Sequence, residues 1–405
     1  MQTPDGLRVT TLVLAVFAAH AGIVAAPARG QEAKESQPPE SKTTVEWYGH
    51  VKLDAAWDES LVDGGNFARW VISPSLVGDH SRFDMTARET RLGFELERAG
   101  EKTPPIGARL EIDFYGGGAE NKNRPQLRHA YLEIPWPQRG LTLLAGQTSD
   151  VISPLVPSTL NYTVAWWAGN IGYRRPMARL TRTIESDSGP VTRLTAAISR
   201  TVGDDFGSTQ PGDSGSDSGV PTLQVAASRS FPLAAGAGRD AVVGISAHRG
   251  EERLEKTLAQ PVSELDSWSV NLDLQIPLGD RATLKGELWT GENLDDYLGG
   301  IGQGIDSGRN REVEATGGWL AIDTRAGART AVSLGLGIDD PDDETLPAGG
   351  RTRNESIWAN FQWGFRPDLR FGVEGSWWRT GYLGLEEGSS LRLQTSLIFR
   401  FAGRA

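Results

Sequence analysis

Cysteine is absent from all 405 residues, which removes disulfides, thiolate metal sites and thiol nucleophiles together. Long apolar runs are nearly as scarce. Only Leu12 to Val24 forms one, no second run nears 18 residues, and so a membrane-spanning helix bundle is excluded. Basic charge is short too: 41 Lys and Arg stand against 52 Asp and Glu, a net charge of -11. Nucleic acid needs a basic face and is excluded as a partner on that ground. Histidine is sparse. His20, His50, His80, His129 and His248 show no HExxH or other metal spacing, and no serine sits in a nucleophile motif, so the sequence predicts neither an enzyme nor a cofactor.

What the chain has is alternation. Val45, Trp47, Gly49, Val51, Leu53, Ala55 and Trp57 are apolar or small, while Glu46, Tyr48, His50, Lys52, Asp54 and Asp58 lie between them. That is a strand with one oily and one polar face. The pattern recurs to the end of the chain, where Leu391, Leu393, Leu397, Phe399 and Phe401 interleave with Arg392, Gln394, Ser396 and Arg400. A soluble sandwich hides its oily faces against each other; a transmembrane barrel turns them to lipid and its polar faces to a wet lumen. With 38% hydrophobic residues and no spanning helix, only a closed barrel would satisfy this backbone in a membrane. The 49 glycines and 13 tryptophans suit turns, lumen walls and interfacial girdles.

Three parts follow. Arg8, the Leu12 to Val24 run and the small residues Ala28 to Gly30 read as a signal peptide over 1–30, implying export. Residues 31–44 are polar and proline-containing, a periplasmic tether. From 45 to 405 the spacing predicts sixteen strands: 45–58, 84–98, 106–115, 126–135, 140–148, 176–185, 190–201, 221–232, 240–250, 267–278, 281–293, 312–323, 327–339, 354–365, 368–380 and 389–401. Short links alternate with long loops, as in an outer-membrane barrel with periplasmic turns and extracellular loops. The expected fold is therefore all-β, a 16-stranded antiparallel transmembrane barrel in the outer membrane of a Gram-negative-type cell.

Alternation also assigns faces. If Leu92, Phe94 and Leu96 meet lipid, then Arg91 and Glu95 face the lumen, and Arg109, Glu111 and Asp113 follow on the next strand. Lys52, Asp54, His129 and Arg179 obey the same rule. Such a wall mixes rows of opposite charge, which either create a transverse field that orients charged solutes or simply pair to fix the barrel. The third long loop, 149–175, carries Tyr162, Trp166, Trp167 and other apolar residues, too much apolar area for a solvated segment. It folds into the lumen as a constriction or packs at a subunit contact; its place after the fifth strand favours constriction. Arg174 and Arg175 at its exit would project toward the pore or meet membrane headgroups. Gly299, Gly300, Gly302 and Gly304 lie outside any strand-to-helix turn and read as a flexible loop. The acidic run Asp339 to Glu344 suits a hard cation or a solvated loop tip, and no metal is assigned.

The stretches YGHVKLDAAWDES (48–60), ARETRLGFELER (87–98), GARLEIDFYGG (107–117), QLRHAYLEI (126–134), GLTLLAGQT (140–148) and YRRPMARLTRT (173–183) resemble the DcaP-like family of trimeric outer-membrane porins. The match covers roughly the first third of the mature chain; later strands agree in pattern only. The resemblance implies a homotrimer embedded in membrane lipid and lipopolysaccharide, an inward-folded third loop and passive passage of small anionic solutes such as dicarboxylates or phosphates. It departs in two places: 31–44 is too short for the N-terminal coiled coil that members often carry, and four residues follow Phe401. Lys52, Arg91, Arg109 and Arg179 beside the third loop favour anions, against Asp54, Glu95, Glu111 and Asp113. The alternative is a plugged structural or adhesive barrel with no conducting pore.

Overall fold

Each alternating segment becomes a strand, and the first strand meets the last. The computed structural model describes residues 42–405 apart from 100–103, 118–121, 187–188, 201–212, 215–217, 234–237 and 255–262. The expected signal peptide, and the tether as far as Ser41, lie outside the described residues. The strands are β1 (Lys42–Asp58), β2 (Arg82–Thr86 and Arg91–Ala99), β3 (Ile106–Asp113), β4 (Gln126–Trp136), β5 (Leu141–Ser149), β6 (Arg174–Ile184), β7 (Thr192–Ser199) and β8 (Thr222–Pro232). They continue as β9 (Asp240–Leu254), β10 (Ser263–Leu278), β11 (Ala282–Glu292), β12 (Glu314–Arg325), β13 (Thr330–Pro341), β14 (Arg351–Gly364), β15 (Leu369–Tyr382) and β16 (Gly388–Arg404). Every neighbouring pair is antiparallel, and β1 pairs with β16 from Glu46 opposite Arg404 to Asp58 opposite Arg392. Sixteen staves close a barrel with no free edge, so each backbone donor along the wall finds its acceptor on a neighbour.

Several strands run three or four residues past the ranges expected for them, as at Leu254, Ser263 and Arg404, and the first two strands depart in ways that matter for the interior. β1 starts at Lys42, inside the stretch expected to be tether. β2 is broken: its halves pair with the two ends of β1, while residues 87–90 turn inward, Thr90 N donating to Ala87 O at 3.0 Å. The turn buries Arg88, whose guanidinium lies 4.4 Å from the centre of the Tyr115 ring. Alternation cannot register such a turn, because its residues no longer take opposite faces.

The barrel is apolar outside and polar inside. On β1, Val51 is 51% exposed and Lys52 next to it 3%. At the seam Arg392 Nη1 donates to both carboxylate oxygens of Asp58 at 2.8 Å, the two residues facing each other in register. The interior is also furnished by loops. Residues 293–313, expected to be flexible around their glycines, are packed instead: Leu294, Tyr297, Leu298 and Ile301 are fully buried. Gly300 and Gly302 take positive φ angles of 59° and 64°, so there glycine serves a tight fold rather than mobility.

Candidate functional site

The inner wall of β1 to β4 carries an ion-pair lattice centred on Glu111. Its carboxylate accepts from Tyr48 OH at 2.7 Å, Arg109 Nη2 at 2.7 Å and Arg128 Nε at 2.8 Å, and Arg91 Nε lies 3.5 Å away. Arg109 also reaches Glu95 at 3.8 Å. Lys52 pairs with Glu89 and, at 3.4 Å, with Asp54. Arg128 was not expected here, since alternation puts His129 inward and Arg128 outward. A bulge is the reason: the β3–β4 register slips between Glu111 and Ile112, leaving Arg128 as the extra residue beside His129. Bulges re-aim side chains, and this one turns Arg128 in to bridge Glu111 and Asp113.

Loop 150–173 leaves β5 and runs across the interior along the far wall. Its backbone is held by wall side chains one after another. Leu155 N donates to Glu287 Oε1 at 2.7 Å, Leu160 N to Glu374 Oε2 at 2.6 Å, and Asn360 Nδ2 and Lys52 Nζ donate to the carbonyls of Ser158 and Leu160 at 2.6 and 2.8 Å. These inward carboxylates and amides supply the partners that a loop buried away from water requires. Its second half rests on loop 293–313 through Trp167 N to Leu298 O at 2.9 Å and Gly172 N to Tyr297 O at 2.7 Å. Val164, Ala165 and Trp167 adopt positive φ angles of 45°, 61° and 59°, strain that persists only where surroundings over-determine the backbone. Burial pushes the Tyr162 hydroxyl up against the pull of Arg174 and Arg128, so it stays a donor, to Asp113 Oδ2 at 2.7 Å.

The loop also needs a flat wall. A Cβ on Gly337 would stand 2.1 Å from the Ala168 carbonyl oxygen, so glycine alone admits the loop there. Gly337→Val is expected to push the loop off β13 while leaving strand pairing intact. Single-channel recording would then show altered conductance and noisier current; a trace like wild type would mean the loop does not depend on this contact.

The residues singled out in the sequence divide into three groups. Lys52, Arg91, Arg109 and Glu111 line a cavity of about 880 Å³ at the short-turn end, and Glu95 lines a recess beside it. Arg91, Arg174, Arg179, Tyr162 and Trp166 line a second cavity of about 550 Å³ toward the long-loop end. Glu89, Arg91 and Thr159 border both cavities. The third group departs from expectation. Asp54 and Asp113 lie on the inner face but are covered there, the first bonded by Gln394 and Ser396 and the second by Arg128 and Tyr162. His129 is tied to Thr148 at 3.1 Å. Trp167 packs against Phe67 and Trp70. Arg175 does not project into the pore: it pairs with Asp150 at 2.8 Å, donates to Asp296 O at 3.0 Å and stacks 4.0 Å from the Tyr297 ring, clamping the two inner loops.

Covering those acids changes the balance of charge. Seven arginines and one lysine border the two cavities against four carboxylates, and of these Glu89 and Glu111 are ion-paired to wall cations, Asp150 to Arg175. Arg179 has no carboxylate within 4.0 Å among the described residues. The acidic run beyond Ile338 is likewise divided: Asp339 accepts from Ile301 N at 3.1 Å, while Asp340 pairs outward with Arg353 at 3.0 Å. Among the described residues no group of three or more His, Asp or Glu is placed to share a metal ion.

A search of solved structures returns barrels of this architecture. The outer membrane channel DcaP of Acinetobacter baumannii superposes with a TM-score of 0.70 at 18% identity, covering 91% of this chain and 99% of that one. The fold is that of the DcaP channel. The anion-selective porin from Comamonas acidovorans matches at 0.55 with 12% identity over 89% of this chain and all of its own. OmpT of Vibrio cholerae, in a trimer form, matches at 0.55 with 9% identity, covering 89% of this chain and 99% of its own. No protein-family model matches the sequence, and no curated protein does. The DcaP-like pattern in residues 48–183 and the fold agree: this is a closed 16-stranded antiparallel barrel of the fold those channels share.

Proposed function

We propose that this chain is an outer-membrane porin, exported by the 1–30 leader, through which small hydrophilic anions diffuse passively. The observation that carries the reading is the inner charge balance: cations border both cavities while Asp54 and Asp113 are sealed beneath partners. Lys52, Arg91, Arg109 and Arg179 mark the path, with Tyr162, Trp166 and Arg174 at its narrow part beside the inner loop. Arginine suits carboxylate and phosphate groups because its planar fork offers two donors at once. Outward apolar residues on every stave fit a lipid and lipopolysaccharide surround. The homotrimer draws its support from the trimer form of OmpT and from the DcaP-like pattern.

Purified protein added to a planar bilayer should produce stepwise channel currents. A correctly folded barrel that carries no current would instead favour the plugged alternative. Crosslinking in mild detergent should saturate at three subunits, and saturation at one would remove the trimer.

A further inference from the structure

The short-turn half of the lumen holds two arginines outside the Glu111 lattice. Arg370 on β15 and Arg400 on β16 both line the cavity of about 880 Å³. Arg370 stands opposite Ile398 in register, so Arg400 is the next inward position along the neighbouring strand, a diagonal placement within reach of long side chains. Two positive charges are thus set side by side. Every carboxylate bordering this cavity is engaged elsewhere: Glu89 with Lys52, Glu111 with Arg109 and Arg128, and Asp368 with Arg366 at 3.0 and 3.2 Å. Arg370 donates to the neutral Gln362 Oε1 at 3.3 Å. Neither arginine has a carboxylate within 4.0 Å among the described residues.

Like charges held together without a counterion raise the energy of the empty site, and an arriving anion lowers it. We infer that Arg370 and Arg400 form an anion site at the short-turn mouth, separate from the cavity lined by Arg174 and Arg179, which takes the oxyanion group of a solute, carboxylate or phosphate, on its way through. The inference rests on the anion-path reading given above. A second site has a transport logic. Conduction needs binding strong enough to admit the ion and successive weak sites that let it leave; here Arg91, which borders both cavities, connects the two. The mouth is not basic all round, since Glu46, Glu95, Glu97 and Glu133 line a recess of about 400 Å³ on β1, β2 and β4. The arginine pair therefore gives anions one preferred side of the exit.

The experiment uses the full trimeric channel in a planar bilayer, with potassium chloride and then potassium phosphate gradients as probes. The double variant Arg370→Gln, Arg400→Gln should lower the anion-to-cation permeability ratio about threefold, the effect of removing two charges at roughly 8 Å in screened water. Because the chain has no cysteine, Arg400→Cys can be modified after insertion: a cationic thiol reagent should restore the ratio and an anionic one should lower it further. That arm reads a channel already folded, so it decides the matter even if the double variant assembles poorly. Ratios unmoved by the variant and by both reagents, in a wild type that prefers anions, would overturn the site alone. A wild type that prefers cations would overturn the reading beneath it.

Discussion

Replacing Arg91 and Arg109 together by glutamate is expected to shift the channel's anion-to-cation permeability ratio about tenfold toward cations. The pair changes four units of charge. At roughly 8 Å in water each unit is worth about 0.5 kcal/mol, or about 0.2 kcal/mol after one Debye length of screening, with opposite sign for the two ions. Summed over four units, the ratio moves by about 1.5 kcal/mol. Both side chains line the cavity at the short-turn end, and Arg91 also borders the chamber beside loop 150–173. Reversal potentials in a salt gradient measure the shift, and an unchanged value would take these two arginines out of the permeation path.

Glu111→Ala is expected to act in two directions at once. Glu111 is 1% exposed and receives Tyr48, Arg109 and Arg128, so its removal takes from buried Arg128 one of its two carboxylates and leaves Arg109 with only Glu95 at 3.8 Å. Breaking a buried pair from one side costs about 3–5 kcal/mol, and the denaturant midpoint for loss of the folded gel band should fall accordingly. Meanwhile the lumen loses a carboxylate, and anion preference should rise. A wall residue with a purely structural role would lower stability and leave selectivity alone, whereas a purely electrostatic one would do the reverse. Measuring both on the same preparation separates these cases, and a stable variant with unchanged selectivity would remove Glu111 from the centre of the lattice.

The barrel was legible because its signal is redundant. Period-two alternation over ten residues repeats sixteen times, and each long loop follows each short turn, so an error in one segment leaves the count intact. The site was less legible, for reasons that trace to particular residues. Face assignment assumes an unbroken pleat, and the bulge beside Glu111 adds Arg128 to the inner face without any mark in the sequence. Asp54 and Asp113 illustrate a different limit, because alternation gives the face but not what covers it: Gln394 and Tyr162 come from 340 and 49 residues away. Loop 150–173 declared itself through its aromatic content. Loop 293–313 did not, since a run of glycines reads alike whether it moves freely or makes tight turns at positive φ. Arg370 and Arg400 lay in plain alternation, on strands that are neighbours of the third loop only once the barrel has closed.

The most direct measurement is the reversal potential of the wild-type channel in a potassium chloride gradient. Cations that outnumber carboxylates around both cavities, with Glu89, Glu111 and Asp150 already ion-paired, predict a potential displaced toward the chloride equilibrium value. A potential displaced toward the potassium value would show that the net charge of -11, and not the inner arginines, governs what passes, and would contradict the account.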